Sequence, residues 1–334
     1  MTNTTTNGRT ALVVGARGGI GGATAAALLR HGWTVRALAR GPSQRTDLAA
    51  AQWIRGDALN AADIAAAAMG VDVIVHAVNP PGYKDWDRVV LPMLDNSLKA
   101  AQANGARIVL PGTIYNYGPD APDILTEDTA QNPVTVKGGI RVAMERRLRA
   151  AADGGTPVLI LRFGDFFGPD AGGSWFSQGL VKPGQPVMAI PYPGAHDVGH
   201  AWAYLPDAAE ALARLLDRRD DLPTFATFQF GGHWLDRGVA MAEAIQHAVV
   251  TTGARRPRIT AFPWWLVHLA SPFVTTFREL REMRYLWQRP LRLDNARLTA
   301  FLGTEPHTPL DRAVADTLAS LGCLPRRQDA APRP

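Results

Sequence analysis

The sequence predicts an α/β fold with a doubly wound parallel sheet and a smaller, interleaved C-terminal α/β lobe. Through the first 170 residues or so, short apolar runs alternate with helical stretches, which is the pattern of βαβ units. Most of these runs are apolar without interruption, as expected of strands that helices cover on both faces. The chain has 334 residues, and because single cores stop growing at roughly 250–300 residues, a second, smaller lobe is expected.

The predicted elements follow one another in a regular order. Between the strands lie four predicted helices, and a late strand at 224–231 is expected to return to the main sheet. We therefore expect a first domain over residues 8–170, an interleaved lobe over residues 171–325, and a disordered tail over residues 326–334. The predicted strands are Thr10–Gly15, Thr34–Arg40, Gln52–Gly56, Val71–Val78, Ala106–Pro111 and Thr156–Phe163, and the helices are Ile20–His31, Ala61–Met69, Asp87–Asn104 and Gly138–Ala152.

The most apolar stretch, Ala261–Phe277, is too short and too interrupted by proline to cross a membrane. We expect a buried helix and turn there, the alternative being a surface that faces a membrane or a partner. In the Arg-rich stretch that follows, Leu280, Met283, Leu286 and Trp287 recur at helical spacing, which predicts an amphipathic helix with a charged, solvated face.

The charge distribution argues against a nucleic-acid partner. The chain carries 35 basic and 30 acidic residues, a formal charge of +5. Residues 278–297 hold six Arg and three acidic residues, and the tail from 326 holds three Arg and one Asp, so these two segments contain the whole excess. A lone Cys323 and a polar start favour a cytoplasmic protein. His76 and His200 have no partner at metal-ligand spacing, so no metal is expected.

The segment Gly15-Ala16-Arg17-Gly18-Gly19-Ile20-Gly21 follows a predicted strand and opens a predicted helix. Glycines at these positions allow a tight turn, close approach of the backbone to a pyrophosphate, and packing of the helix on the strand. The free N–H groups at the start of the helix would hold the anion. The segment predicts a dinucleotide site in a Rossmann-type domain.

The end of the next strand favours NADP(H) over NAD(H). An acidic residue about 20 positions after the glycines would bind a free ribose 2′-hydroxyl. The strand ends instead in Arg40, with Arg36 earlier on it and Arg17 in the glycine loop, and a guanidinium matches a 2′-phosphate.

Further motifs make the chain similar to a known superfamily. They are the Gly56-Asp57 pair, the His76–Asn79 run, Tyr117-Gly118, Arg162 with Phe167-Gly168-Pro169, and Asp207–Ala211. With the glycine loop, they resemble the extended or atypical short-chain dehydrogenase/reductase superfamily, in its NAD(P)-dependent epimerase/dehydratase branch. The resemblance implies that Asp57 and Ala58 meet the adenine, that Ala77, Val78 and Asn79 line the nicotinamide ribose, and that the chain forms a homodimer.

The resemblance fails at the catalytic pair. Members of this family use a Ser or Thr after the fifth strand and a Tyr with a Lys four residues later. Thr113 falls on the hydroxyl position, but Lys137 and Arg141 stand where the Tyr and Lys are expected. Lys137 could then exchange the proton beside a fixed positive charge. Alternatively, Tyr115 or Tyr117 supplies a phenol from the loop, or the protein binds its cofactor only as a sensor or scaffold.

From these residues we expect an NAD(P)-dependent oxidoreductase that transfers a hydride to or from a small carbonyl or alcohol substrate. Tyr83, Tyr115 and Tyr204 are the expected substrate contacts. A non-catalytic dinucleotide sensor and a nucleotide-sugar epimerase or dehydratase are the alternatives.

Overall fold

The computed structural model describes residues 8–41, 45–80, 85–271 and 275–324. The strands follow the predicted order, and the predicted fifth strand extends as far as Thr113. The strands are β1 (Thr10–Val14), β2 (Thr34–Ala39), β3 (Gln52–Arg55), β4 (Val73–His76), β5 (Arg107–Thr113), β6 (Ile124–Leu125), β7 (Val158–Phe163), β8 (Asp165–Phe167), β9 (Ala189–Tyr192), β10 (His200–Tyr204), β11 (Phe225–Gln229), β12 (His233–Leu235), β13 (Arg258–Ala261) and β14 (Arg292–Leu293).

The main sheet has seven strands in the order β3-β2-β1-β4-β5-β7-β11, and every neighbouring pair is parallel. The strand predicted at 224–231 is β11, which pairs with β7 at one edge. The direction of winding reverses between β1 and β4, where open α/β sheets form a ligand crevice at the carboxyl ends of their strands. The predicted doubly wound parallel sheet is confirmed.

Helices cover both faces of this sheet. The helices are α1 (Gly19–Arg30), α2 (Ala61–Ala67), α3 (Trp86–Asn104), α4 (Val136–Asp153), α5 (Leu205–Asp217), α6 (Ala240–Val250), α7 (Trp264–Ala270), α8 (Thr275–Glu282), α9 (Ala296–Leu302) and α10 (Leu310–Ser320). Successive β1 residues point to opposite faces, so Val13 packs in the core with Leu28 of α1, and Leu12 packs in the other core with Leu94 of α3. Two covered faces explain why the strands are apolar throughout.

The smaller lobe is built from short sheets around an aromatic core. Strands β8, β10 and β12 form one sheet, β9 pairs with β13, and β6 pairs with β14. The core contains Phe167, Trp202 and Trp287, with the Phe167 and Trp202 ring centroids 6.1 Å apart. Because β8 follows β7 after one residue, this lobe is attached directly at the carboxyl edge of the main sheet.

The expectation that Ala261–Phe277 forms a buried helix and turn is wrong for its described helix. Helix α7 buries Val267 but leaves Trp265 70%, Leu269 67% and Leu266 42% exposed. Helix α7 contacts the smaller lobe through Val267 and the half-buried Trp264, and its other large apolar side chains face outward. The apolar composition of the segment does not show which of its residues are buried. Within the described ranges, no helix is both long and apolar enough to span a membrane.

The predicted amphipathic helix after Ala261–Phe277 is divided into two parts. α8 ends at Glu282, and a 3₁₀ turn continues from Met283 to Trp287. Met283, Leu286 and Trp287 are buried, as their spacing predicts.

Candidate active site

A cleft of about 1120 Å³ opens at the carboxyl ends of the main-sheet strands and is closed on one side by the smaller lobe. We call the part lined by residues 14–93 the glycine-loop side and the part lined by residues 111–280 the lobe side. The glycine-loop side includes Gly15, Arg17, Gly18, Gly19, Ile20, Arg40, Asp57, Ala58, Ala77, Val78 and Asn79, and the lobe side includes Thr113, Tyr115, Arg141, Asp165, Trp175, Phe262 and Leu280.

Two glycines of the glycine loop, Gly15 and Gly21, have no space for a side chain. Gly15 has a φ of +96°, and a Cβ there would lie 2.7 Å from the Ala77 carbonyl group. A Cβ on Gly21 would lie 2.4 Å from the Gly15 oxygen. Helix α1 begins at Gly19 with no side-chain cap, which leaves the N–H groups of its first turn available to an anion. This geometry fits the pyrophosphate of a dinucleotide.

Arg40 and Arg17 line the glycine-loop side together with Asp57, as the sequence predicts. The loop after β3 is fixed locally, because the Asp57 N–H donates to Asp63 Oδ2 at 2.8 Å and Asp57 Oδ1 accepts from the Leu59 N–H at 3.0 Å. Arg40, Arg17 and the locally fixed Asp57 carboxylate therefore lie on the same side of the cleft.

The predicted cofactor contact of Arg36 is wrong. Its Nη1 donates to the carbonyl oxygens of Ala67 and Met69, at 3.0 and 2.6 Å, at the C-terminal end of α2. Arg36 is in the middle of β2. It donates hydrogen bonds to carbonyl groups that have no partner within the helix, because they lie at its C-terminal end. It does not line the cleft.

His76, at the end of β4, is buried next to Arg141. Its Nδ1 lies 2.9 Å from Ser97 Oγ, and its Nε2 has no hydrogen-bond partner within the described ranges. Burial and, to a smaller extent, the charge of Arg141 lower the pKa of His76 to about 3, so the ring is neutral at physiological pH. Arg141 donates to Asn79 Oδ1 at 3.1 Å and lies 5.2 Å from the Trp86 ring centroid.

Thr113 is the last residue of β5 and lies beside Phe163 of β7. Its Oγ1 accepts a hydrogen bond from the Tyr115 N–H at 3.2 Å. Because the hydroxyl oxygen is the acceptor in this contact, the Thr113 proton can be donated to a substrate oxygen.

The two candidate tyrosines after β5 have different surroundings. The chain forms a 3₁₀ turn over Ile114–Asn116, so the strand alternation that would place Tyr117 beside Tyr115 is lost. Tyr115 lines the cleft. Tyr117 is fully buried, with its hydroxyl 3.1 Å from Gln229 Nε2, so its predicted role in the cleft is wrong.

Helix α4 brings the predicted pair to the cleft only in part. Arg141 lines the lobe side, but Lys137, which is 3% exposed, does not; its Nζ lies 5.9 Å from the Trp86 ring centroid. The position of α4 is fixed by Glu145, which accepts from Arg162 Nε and Nη2 at 2.9 and 2.7 Å. Burial alone would lower the pKa of Arg162, but the Glu145 carboxylate holds it above its ordinary value.

The other predicted substrate contacts do not reach the cleft or are not described. Tyr204 is buried in the core of the smaller lobe, 5.3 Å from the Phe167 ring, so its predicted contact is wrong. Burial, with smaller effects of Asp316 and Asp207, raises the pKa of Tyr204 to about 12. Tyr83 lies outside the described residues.

The sequence does not predict the role of Asp165, which lies two residues after β7 ends and lines the lobe side. Asp165 Oδ2 lies 2.8 Å from His200 Nε2. The His200 ring stacks on Trp287 with centroids 4.0 Å apart and planes 9° apart. No sequence spacing links residues 165 and 200, since the pair forms only when β8 and β10 become neighbours.

The fold is shared with solved structures at low sequence identity. A provisionally identified epimerase from Burkholderia cenocepacia J2315 has a TM-score of 0.71 and 19% identity, over 95% of this chain and 98% of that one. MoeE5 in complex with UDP-glucose and NAD has a TM-score of 0.69 and 21% identity, over 94% and 98%. UDP-glucuronic acid 4-epimerase from Bacillus cereus, in complex with NAD, has a TM-score of 0.69 and 18% identity, over 93% and 98%.

No curated protein sequence matches the chain significantly. The model of the NAD dependent epimerase/dehydratase family matches residues 11–231, which is more than half of the chain and includes the glycine loop, β5, α4 and β11. The chain therefore belongs to the NAD-dependent epimerase/dehydratase family and is an enzyme of the short-chain dehydrogenase/reductase type.

Proposed function

We propose that the protein is an oxidoreductase that transfers a hydride between a nicotinamide dinucleotide and a small carbonyl or alcohol substrate. The observation that carries this proposal is the Thr113 hydroxyl at the end of β5. It lines the same cleft as the glycine loop and has a proton to donate. A carbonyl or alcohol oxygen bound by Thr113 would present its carbon to the middle of the cleft. When bound, the dinucleotide would supply or accept the hydride.

The proton-transfer group is proposed to be Tyr115. It lines the cleft, and its backbone N–H is hydrogen-bonded to Thr113, so the phenol and the Thr113 hydroxyl belong to one local unit. In alcohol oxidation the substrate O–H proton passes to Tyr115, and in carbonyl reduction it returns to the substrate oxygen.

The second candidate for this role is Lys137, one helical turn before Arg141 on α4. Because Lys137 does not line the cleft, we propose that it positions Trp86 and the start of α4 and does not transfer the proton.

The variants Y115F and K137M distinguish the two candidates, and K99M, which changes an exposed Lys of α3, is the control. We expect Y115F to reduce kcat at least 100-fold with little change in dinucleotide affinity. A larger loss of kcat in K137M than in Y115F would transfer the role to Lys137.

We further propose that NADP(H) binds more tightly than NAD(H). Arg40 and Arg17 support this preference because both line the glycine-loop side and a guanidinium pairs well with a ribose phosphate. Titration of the protein with both dinucleotides tests it, and R40A should weaken NADP(H) about tenfold while leaving NAD(H) unchanged. Equal affinity, or tighter NAD(H), would refute the role of Arg40.

Epimerisation of a nucleotide sugar is the second candidate, favoured by the structural similarity to the UDP-glucuronic acid 4-epimerase from Bacillus cereus. A non-catalytic sensor would bind dinucleotide but show no hydride transfer with any carbonyl. The homodimer and the cytoplasmic location stay predictions, which sedimentation and fractionation can test.

A further inference from the structure

The lobe side of the cleft is aromatic and carries little charge. Trp175, Phe262 and Phe166 line it, and Trp175 and Phe262 make an edge contact with ring centroids 5.8 Å apart. Of the described residues that line this side, Arg141 is the one cation and Asp165 the one carboxylate. The charged side chains there sum to zero, which does not match a diphosphate.

The two charges face different surroundings. Arg141 donates to Asn79 and lies over the Trp86 ring, so its guanidinium is directed toward the glycine-loop side. Asp165 belongs to the lobe, and its side chain is 11% exposed. His200 holds Oδ2, and no second hydrogen bond to the Asp165 carboxylate is formed within the described ranges.

The orientation of Asp165 is fixed from behind. The imidazole of His200 is buried between Trp287 and Trp202, with ring centroids 4.0 and 5.1 Å away. Trp287 is itself 2% exposed and packs in the core of the smaller lobe. The carboxylate therefore cannot rotate away from an incoming anion without breaking a hydrogen bond to a rigid ring.

We propose that Asp165 is a specificity-determining residue that excludes phosphorylated groups from the lobe side, so that the substrate is neutral or cationic where it meets this lobe. A phosphate beside a fixed carboxylate in a partly closed cleft meets like-charge repulsion, while the aromatic lining favours apolar groups. The proposal rests on the proposed oxidoreductase function. It disfavours nucleotide sugars, the substrates of the second candidate.

The test uses the full-length protein saturated with its preferred dinucleotide and measures the binding of UDP and uridine by isothermal titration calorimetry. With the cofactor site filled, the wild-type protein should bind UDP no more tightly than uridine. D165N keeps the shape of the side chain and removes its charge, so UDP affinity should rise at least tenfold relative to the wild type while uridine affinity is unchanged. D197N removes the same charge from an exposed residue outside the cleft lining and should change neither affinity.

Two results would overturn the proposal. One is wild-type protein that binds UDP at least tenfold more tightly than uridine. The other is a D165N variant that binds UDP with the same affinity as the wild-type protein, including the case in which neither protein binds UDP. The wild-type comparison needs no variant and holds even if D165N fails to fold. Hydride transfer with neutral carbonyl and alcohol substrates is assayed on the same preparation, so failure of the proposed function itself is seen as a protein that binds the dinucleotide but transfers no hydride.

Discussion

Glu145→Ala should strongly destabilise the protein, because it leaves the Arg162 guanidinium buried without its partner. The side chains of Glu145 and Arg162 are 9% and 4% exposed, and the two hydrogen bonds between them are 2.9 and 2.7 Å long. Breaking a buried pair of this kind costs about 3–5 kcal/mol. Glu145 also accepts a bond of 2.7 Å from Gln131 Nε2, whose loss adds about 1 kcal/mol.

The expected loss is about 4–6 kcal/mol of the free energy of unfolding, a large part of the roughly 5–15 kcal/mol that native proteins possess. Urea unfolding followed by far-UV circular dichroism measures it as a lower midpoint at unchanged slope. The double variant E145M/R162M removes both charges and fills similar volumes, so it should recover most of the loss. A loss below about 1 kcal/mol in E145A, or a double variant as unstable as the single one, would contradict the view that the unpaired charge is the cause.

Three further outcomes are expected. G15A should reduce dinucleotide affinity at least tenfold in a fluorescence titration, because the added Cβ would lie 2.7 Å from the Ala77 carbonyl group and the φ of this residue is +96°. Unchanged affinity would argue against close approach of this loop's backbone to the dinucleotide. T113V should lower kcat/KM about 100-fold and leave dinucleotide affinity unchanged, and equal losses in both would point to a structural role. Burial lowers the pKa of His76 to about 3 and of His233 to about 4, aided by Arg141 and His307 respectively. Below pH 6.5 the unfolded chain therefore binds more protons than the folded protein. The free energy of unfolding should be highest above pH 6.5 and should decrease as the pH falls toward 4. If urea unfolding gives the same free energy at every pH between 6.5 and 4.5, these two rings are not buried in the neutral form.

The sequence predicts the main sheet well because its strands are buried on both faces. Burial on both faces requires continuous apolar runs, and such runs are visible without knowledge of their partners. Part of the glycine loop is also predictable from local sequence, because the contact that requires glycine at position 21 is with Gly15, six residues earlier.

Contacts between segments that are far apart in the sequence cannot be predicted in this way. The position of Arg36 on β2 suggests a cofactor ligand, but Arg36 instead donates to the carbonyl groups of Ala67, at the end of α2, and of Met69, just after it. Tyr117 looks like a neighbour of Tyr115 until a 3₁₀ turn replaces the extended chain. Asp165 and His200 are 35 residues apart, so their pairing follows from the strand order of the smaller lobe, which local sequence does not specify.

The late return of β11 to the main sheet has a consequence for synthesis of the chain on the ribosome. Strand β7 ends at Phe163 and its edge partner β11 ends at Gln229, so 66 residues (229 minus 163) are translated between them. Translation proceeds at roughly 5–20 residues per second, so the apolar edge of β7 has no pairing strand for about 3–13 seconds after β7 has been synthesised. During that interval the nascent chain presents an open parallel-strand edge. A pause in translation between these positions, or a truncation before β11, should therefore increase aggregation of the newly made protein.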